Sequence, residues 1–452
     1  MTEIEDTPLY REAQDIIANG QTGTNFGWRV IIHYGENQTM HPLRTLALNN
    51  VRDYGKAFTD VTTLTVMMGL GKYARRIYPN RNQLQITLQK LPQAELSESG
   101  NGDSAIESER FSATLIDQDR SPTDGQGAEA NDEEVLDLSD IVQVSFQLFN
   151  KSLEQVRMMA VGGVFRDTKV DTLLRSMLTK ESQKADVDDE RAVVGVDLVP
   201  VSNKDTHKQI VITHGTKLVD VADFLQKRYG VYNAGLGSYI QNKYWHIYPL
   251  YDTRQFEDRQ QTMTILVMPK RKYSDIERTY RQNGDSLTVL MTGETAFKDD
   301  SGSNYLKEGN GARFSDASKV MDSVATTQGN KAIISRARNN SEFLADKRPD
   351  GINHVPVANN RITSNPFPIY SELASRNGGL FKGGWQNSDP KLLLPGMMVR
   401  IVFSDQGETK ELYGVLHGAE HVSVAIGDVT SEKFTTHSVV YVFVNKPDAA
   451  AA

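Results

Sequence analysis

The sequence contains no cysteine. Disulfide staples, thiolate metal sites and cysteine nucleophiles are thereby excluded, so stability must come from burial, to which association of subunits can add. No run of about eighteen apolar residues occurs. The most apolar stretch, Leu392 to Phe403, is broken by Pro395 and carries Arg400, which argues against a membrane span. The opening MTEIEDTPLY is acidic and lacks a basic-then-apolar signal, so export by that route is not expected. Basic clusters are short. Arg75-Arg76 and Lys270-Arg271-Lys272 read as solvated faces, far from the stripe by which a protein grips nucleic-acid phosphates.

Reaction signatures are scarce too. No nucleophile elbow anchors a Ser–His–Asp set, and no carboxylate pair is marked as a glycosidase acid and its partner. GLGKY (Gly69 to Tyr73) and GLGSY (Gly235 to Tyr239) lack the rest of a phosphate-binding fingerprint and read as tight turns. His417 and His421 are four apart, with His437 on the next strand. On a helix that spacing suits a metal, but here it brackets Gly418-Ala419-Glu420, a bulge or turn between strands. Strand-end histidines are therefore expected, and no cofactor or metal is implied.

What the chain does have is size and pattern. Its 452 residues, 38% hydrophobic and 24% charged, predict two to four folded domains. The net charge of −8 is uneven: residues 94–140 hold fourteen acids against two arginines, a balance of −12 that leaves the remainder at +4.

Residues 1–150 read as a β domain with that acidic insertion at 94–140. Strands are predicted over Gly27–Tyr34, Val61–Gly69, Asn82–Lys90, Arg110–Asp117 and Val142–Asn150, where apolar and polar residues alternate. The stretches 93–109 and 119–137 read as long loops. Residues 151–266 mix helix and strand. One helix begins near Thr168 as cap, with Val170, Leu173, Leu174 and Met177 on its apolar stripe. A second runs from Lys217, with Thr216 as cap and Gly230 as stop. Residues 267–359 form a polar connecting region with strands at Thr262–Met268 and Ser286–Met291 along its start and a helix-like piece at Ser315–Thr326. Residues 360–447 predict a short helix at Tyr370–Arg376, then strands Gly396–Phe403, Lys410–Gly418, His421–Gly427 and His437–Asn445, a small antiparallel sandwich or barrel. The fold class expected is α+β, dominated by β.

Seven aromatics (Tyr229, Tyr232, Tyr239, Tyr244, Trp245, Tyr248 and Tyr251) crowd one Tyr/Gly-rich stretch with no nucleophile–base pair or metal-ligand set beside them. They read as packing residues, either between subunits or domains or within an ordinary core.

Four segments carry a resemblance: FTDVTTLTVMMGLGKYARRIYPNRNQLQITL (Phe58 to Leu88), THGTKLVDVADFLQKRYGVYNAGLGSYIQNKYWHIYPLYD (Thr213 to Asp252), ITSNPFPIYSELASRNGG (Ile362 to Gly379) and LLPGMMVRIVF (Leu393 to Phe403). In order and spacing the chain resembles the baseplate hub family of contractile-tailed bacteriophages. That resemblance implies a homotrimer in which each subunit carries two tail-tube-like β domains, the regions 1–150 and 360–447 being the candidates. Three subunits then present a pseudo-sixfold ring that docks the tail tube, or a tube initiator, on one side and the trimeric spike on the other. DNA passes through without specific binding. Tape-measure and baseplate wedge proteins are further partners, and the location implied is the virion tail. Two other readings stay open: a virion-associated cell-wall hydrolase, and a peripheral receptor-binding baseplate protein.

Overall fold

The computed structural model describes residues 8–23, 25–36, 38–57, 60–92, 107–116, 141–185, 192–269, 276–292, 295–298, 325–328, 331–334, 346–347, 353–354, 365, 367–376, 378–405, 408–426 and 433–445. Most of the acidic insertion and of the polar connecting region lies outside these residues. The chain is α+β and dominated by β.

After helix α1 (Pro8–Asn19) come β1 (Phe26–Tyr34), β2 (Gln38–Met40), β3 (Arg44–Asp53), β4 (Val61–Gly69), α2 (Leu70–Lys72), β5 (Leu84–Pro92), β6 (Glu107–Leu115) and β7 (Ile141–Asn150). The connecting region holds α3 (Lys151–Met158), β8 (Ala160–Lys169), α4 (Val170–Ser182), β9 (Gly195–Leu198), β10 (Thr206–Lys217), α5 (Val221–Arg228), β11 (Leu236–Gln241) and β12 (Tyr244–Pro249). Then follow β13 (Thr262–Val267), β14 (Tyr280–Asn283), β15 (Ser286–Met291), β16 (Thr295–Lys298), and two short ribbons, β17 (Ala325–Gln328) with β18 (Lys331–Ile334) and β19 (Asp346–Lys347) with β20 (Asn353–His354). The chain closes with α6 (Phe367–Arg376), β21 (Gly378–Trp385), β22 (Met398–Asp405), β23 (Glu408–Ile426) and β24 (Lys433–Asn445).

The two last strands organise the molecule. Over its second half β23 pairs with β3 on one side (Gly418↔Asp53 to Val424↔Ala47) and β24 on the other. The path then runs β3–β4–β7–β6–β5–β1 and returns to β24 through Phe26↔Phe434, closing a ring of eight strands. Over its first half β23 pairs instead with β22, and over its second half β24 pairs with β21, so the same hairpin belongs to a second sheet of order β14–β15–β13–β22–β23–β24–β21–β16. The ends of this second sheet curl towards each other: Trp385 Nε1 donates to Thr279 Oγ1 at 3.1 Å, and the Tyr280 ring meets Trp385 edge-on. The molecule is thus a closed barrel and an open one sharing a single long hairpin.

Several expectations are corrected by this topology. The boundary drawn between 1–150 and 360–447 is crossed, because the first barrel is completed by strands from the far end of the chain. The second sheet is mixed, since β13 lies parallel to both β15 and β22, whereas antiparallel strands were expected. The strands read as Lys410–Gly418 and His421–Gly427 are one. Gly418 sits at a bulge between Leu416 and Gly418, where an added Cβ would stand 2.6 Å from the Arg52 carbonyl oxygen, so only glycine lets the strand kink without ending.

Strands β3 and β21 were not expected, nor was α1. That helix leaves the first barrel and buries Leu9, Ala13 and Ile16 against Leu266, Leu290 and Val402 of the second sheet. Arg281 secures it with ion pairs to Asp15 and Glu12.

In the connecting region α4 starts after Lys169, not at Thr168, whose hydroxyl only turns back to the Lys169 carbonyl oxygen. Thr216 likewise caps nothing. It bonds Thr213, and a 3-10 turn Leu218–Asp220 leads into α5. Gly230 does stop α5: its φ of +83° is left-handed, and its N–H reaches the Leu225 carbonyl oxygen at 2.9 Å. Of the helix expected over Ser315–Thr326, residues 315–324 lie outside the described residues, and Ala325 and Thr326 open β17.

Two main cores result. One fills the closed end of the barrel with Val30, Ile32, Leu64, Val66, Met68, Ile86 and Phe146. The other is continuous from the connecting region into the second barrel. No helix among the described residues is long and apolar enough to cross a membrane.

Candidate functional site

The closed barrel is apolar at one end and polar at the other, and strand register shows why. Cross-strand neighbours share a face. Leu64 pairs with Leu48 and Phe146, and Ile86 with Ile32 and Phe111, which fills the lower lumen. One pleat higher the same strands present Asn50 against Thr62 and against His421, and Trp28 against Lys90, which faces Glu107. Above these polar positions the lumen widens into a cavity of about 520 Å³, roofed by Leu153, Glu154 and Arg157 of α3, by Tyr239 to Asn242 at the end of β11, and by Asp389 to Lys391.

Six side chains lining this cavity each keep one buried polar atom without a hydrogen-bond partner: Trp28 Nε1, Asn50 Oδ1, Arg52 Nε, Asp60 Oδ1, Gln241 Oε1 and His421 Nε2. Fifteen such atoms occur among the described residues, so this one chamber gathers six of them. Each unpaired buried group costs about 1–3 kcal/mol. Buried polar atoms are normally paired with protein or ordered water.

The charges are set by their surroundings. Burial works against the Arg52 cation, but Tyr54, Tyr239 and Asp60 around it outweigh that and hold its pKa above the ordinary arginine value. Burial pushes the Asp60 carboxyl up, against the opposing pull of the Tyr239 hydroxyl, which donates to Oδ2, and of Arg52. Tyr239 itself is raised well above its usual value by burial and by Asp60. Lys90, its ammonium 4.3 Å from the centre of the Phe26 ring, is lowered by burial despite Glu107 and Asp389 nearby. Lys391 closes the rim through an ion pair with Glu107.

His421 is 5% exposed. Burial, helped by Arg52, pulls its pKa down to about 3, so its ring is neutral at physiological pH. Its Nδ1 lies 2.7 Å from Ser438 Oγ, which in turn lies 2.6 Å from Ser388 Oγ. Ser438 is 2% exposed. This Ser–His contact is therefore locked between strands, where it orients the ring, while Nε2 is buried without a partner.

The other singled-out residues separate. His417, lowered by burial, stacks on Tyr251 with ring centres 6.3 Å apart, and His437 faces away from His421 because it pairs with Val422. Among the described residues no group of three or more His, Asp and Glu is placed to hold a metal. GLGKY, expected as a tight turn, opens the helical segment 70–80 instead, with Arg75 and Arg76 exposed; GLGSY enters β11 after a left-handed Gly235. Residues 270–272 lie outside the described residues.

Four of the seven aromatics, Tyr232, Tyr239, Trp245 and Tyr248, are at most 3% exposed and belong to the chain's own core. They pack between parts of one chain: Tyr239 meets Tyr54 edge-on at 4.9 Å, and Trp245 Nε1 donates to Ser182 Oγ. Tyr229 bonds the backbone of Val211, Tyr251 packs on Phe443, and Tyr244 is 43% exposed. The chamber itself was missed by sequence reasoning. Its one sequence signal was polar residues at alternate positions of a strand, Asn50 and Arg52.

No protein-family model matches the sequence, and no curated protein matches it. Among solved structures the chain is similar to a tail protein from Neisseria meningitidis MC58, at 10% identity over 92% of this chain and 96% of that one, with a TM-score of 0.44. It is also similar to the 43 kDa tail protein of prophage MuSo2 from Shewanella oneidensis (9% identity, 92% and 98% covered, TM-score 0.45). A third is the prophage tail protein gp18 from Listeria monocytogenes EGD-e (8% identity, 94% and 96% covered, TM-score 0.35).

Proposed function

We propose that this chain is a structural protein of a phage tail baseplate, acting as the hub: a homotrimer that adapts a sixfold tube to a threefold spike around a bore for DNA. The observation that carries the reading is the pair of β barrels fused through one hairpin, β23 with β24. A subunit with two barrels held rigidly side by side gives six barrels from three copies, which is the arithmetic a tube-to-spike adaptor needs. Among the described residues edge strand β16 pairs on one side only, with β21, and a neighbouring chain is one way to cover an edge of that kind. The resemblance carried by residues 58–88, 213–252, 362–379 and 393–403 supports the same reading.

The role is assembly and not bond chemistry. The most reactive pairing near the cavity, Ser438 with His421, is buried between strands.

Native mass spectrometry of the purified chain, alone and with a trimeric spike protein of the same phage, tests this. A trimer that takes up one spike trimer supports the hub. A chain that stays monomeric with the spike present overturns it, and measurable peptidoglycan lysis by that chain would favour the hydrolase reading.

A further inference from the structure

We propose that Asn283 is a site of spontaneous deamidation, converted to aspartate and isoaspartate with water as the only co-reactant, whether or not the chain is a hub.

Five Asn-Gly pairs occur in the sequence, at Asn19, Asn101, Asn283, Asn310 and Asn377. In such a pair the glycine nitrogen can attack the asparagine carboxamide, because no Cβ shields it and the backbone turns freely. The dipeptide is the same each time, so the fold decides which pair reacts. Asn19–Gly20 and Asn283–Gly284 are the two in which both residues are described, and their settings are opposite.

At the end of α1 the reacting groups are held. The Gly20 N–H donates to the Ile16 carbonyl oxygen at 2.7 Å, and Asn19 Nδ2 donates to Asp15 Oδ1 at 2.9 Å. Gln21, the next residue, is bonded through both its N–H and its carbonyl oxygen to Tyr280. Space is closed as well: an added Cβ on Gly20 would lie 2.3 Å from the Ile16 carbonyl oxygen.

At the tip of β14 nothing is held. Asn283 ends this four-residue strand, and a two-residue turn, Gly284–Asp285, leads to its partner Ser286 on β15. Asn283 and Gly284 are both exposed, and neither the carboxamide of the one nor the N–H of the other makes a hydrogen bond. The φ of Gly284 is +58°, with open space around its α-carbon. Extended backbone keeps Asn283 Cγ away from the Gly284 nitrogen, so attack follows fraying of the hairpin end, the part of a short strand that opens most readily.

The step balances without an oxidant or reductant. The Gly284 nitrogen gives up its proton and bonds Asn283 Cγ; the Cγ–Nδ2 bond breaks and ammonia leaves with that proton. Water then opens the five-membered imide at either carbonyl. Opening at one gives aspartate; opening at the other gives isoaspartate, which adds a carbon to the main chain and breaks the Asn283↔Ser286 register.

Peptide mapping by mass spectrometry of the whole chain, aged at neutral pH both folded and in urea, tests the site, with isoaspartate scored by enzymatic methylation. Urea gives the rate of each dipeptide without the fold, and each folded rate is divided by it. The normalised rate at Asn283 should exceed that at Asn19 by about tenfold or more, because Gly20 must first break a hydrogen bond. Asn283→Gln should abolish the product at this position and leave thermal unfolding of the fresh chain unchanged. Equal normalised rates at the two sites, or a faster one at Asn19, would overturn the assignment.

Discussion

The Tyr248 hydroxyl donates to the backbone carbonyl oxygen of Tyr54 at 2.6 Å, in a site where both residues are buried. One bond thus ties β12 of the connecting region to the loop after β3 of the first barrel. Above the ring stands Gly396, whose φ of +70° is left-handed and where an added Cβ would lie 2.4 Å from the aromatic carbons. Tyr248→Phe should cost about 1–2 kcal/mol, since the Tyr54 carbonyl loses a partner it cannot replace. Gly396→Ala should cost at least about 1–3 kcal/mol from backbone strain alone. Urea unfolding of both variants measures the difference.

The fully buried Trp245 gives a sharper contrast. Trp245→Ala removes a large side chain and strands Ser182 Oγ, and should destabilise the chain by about 3–5 kcal/mol even when no partner is present. Tyr244→Ala, one position away on the opposite face, should stay within about 0.5 kcal/mol. Thermal unfolding of the two single variants checks both values, and equal effects would contradict the core placement.

Acid sensitivity follows from His421, with His417 and His437 also lowered by burial. Below its ordinary value near 6.5 the unfolded chain takes up a proton on this ring, while the folded chain refuses it until about 3. Stability should therefore be insensitive to this group above pH 6.5 and fall as the pH drops from there towards 3, by at most about 1.4 kcal/mol per pH unit for one histidine. Urea midpoints across that interval measure the slope, and His421→Gln should flatten it.

How much of this the sequence disclosed depends on what each strand faces. Strands β1, β4 and β7 were legible because one side meets an apolar core, so Val30 and Ile32, or Val144 and Phe146, alternate cleanly with polar neighbours. Strand β3 was not, because its inward residues Asn50 and Arg52 face the polar chamber and break the apolar rhythm. Gly378 and Gly379 signalled a helix stop and concealed the strand they begin; an added Cβ on Gly378 would lie 2.3 Å from the Phe443 ring, so the glycine serves close packing. The chamber was hidden for a deeper reason. Its residues come from β1, β3 and β23 of the closed barrel, from Asp60 before β4 and from β11 of the connecting region, which only the folded chain brings together.

The central claim, assembly by three copies of a two-barrelled subunit, is tested most directly by cryo-electron microscopy of the purified complex with its spike. The account predicts threefold class averages in which paired barrels form a ring of six lobes around an open bore. Particles of single-subunit size, or an assembly without threefold symmetry, would contradict it.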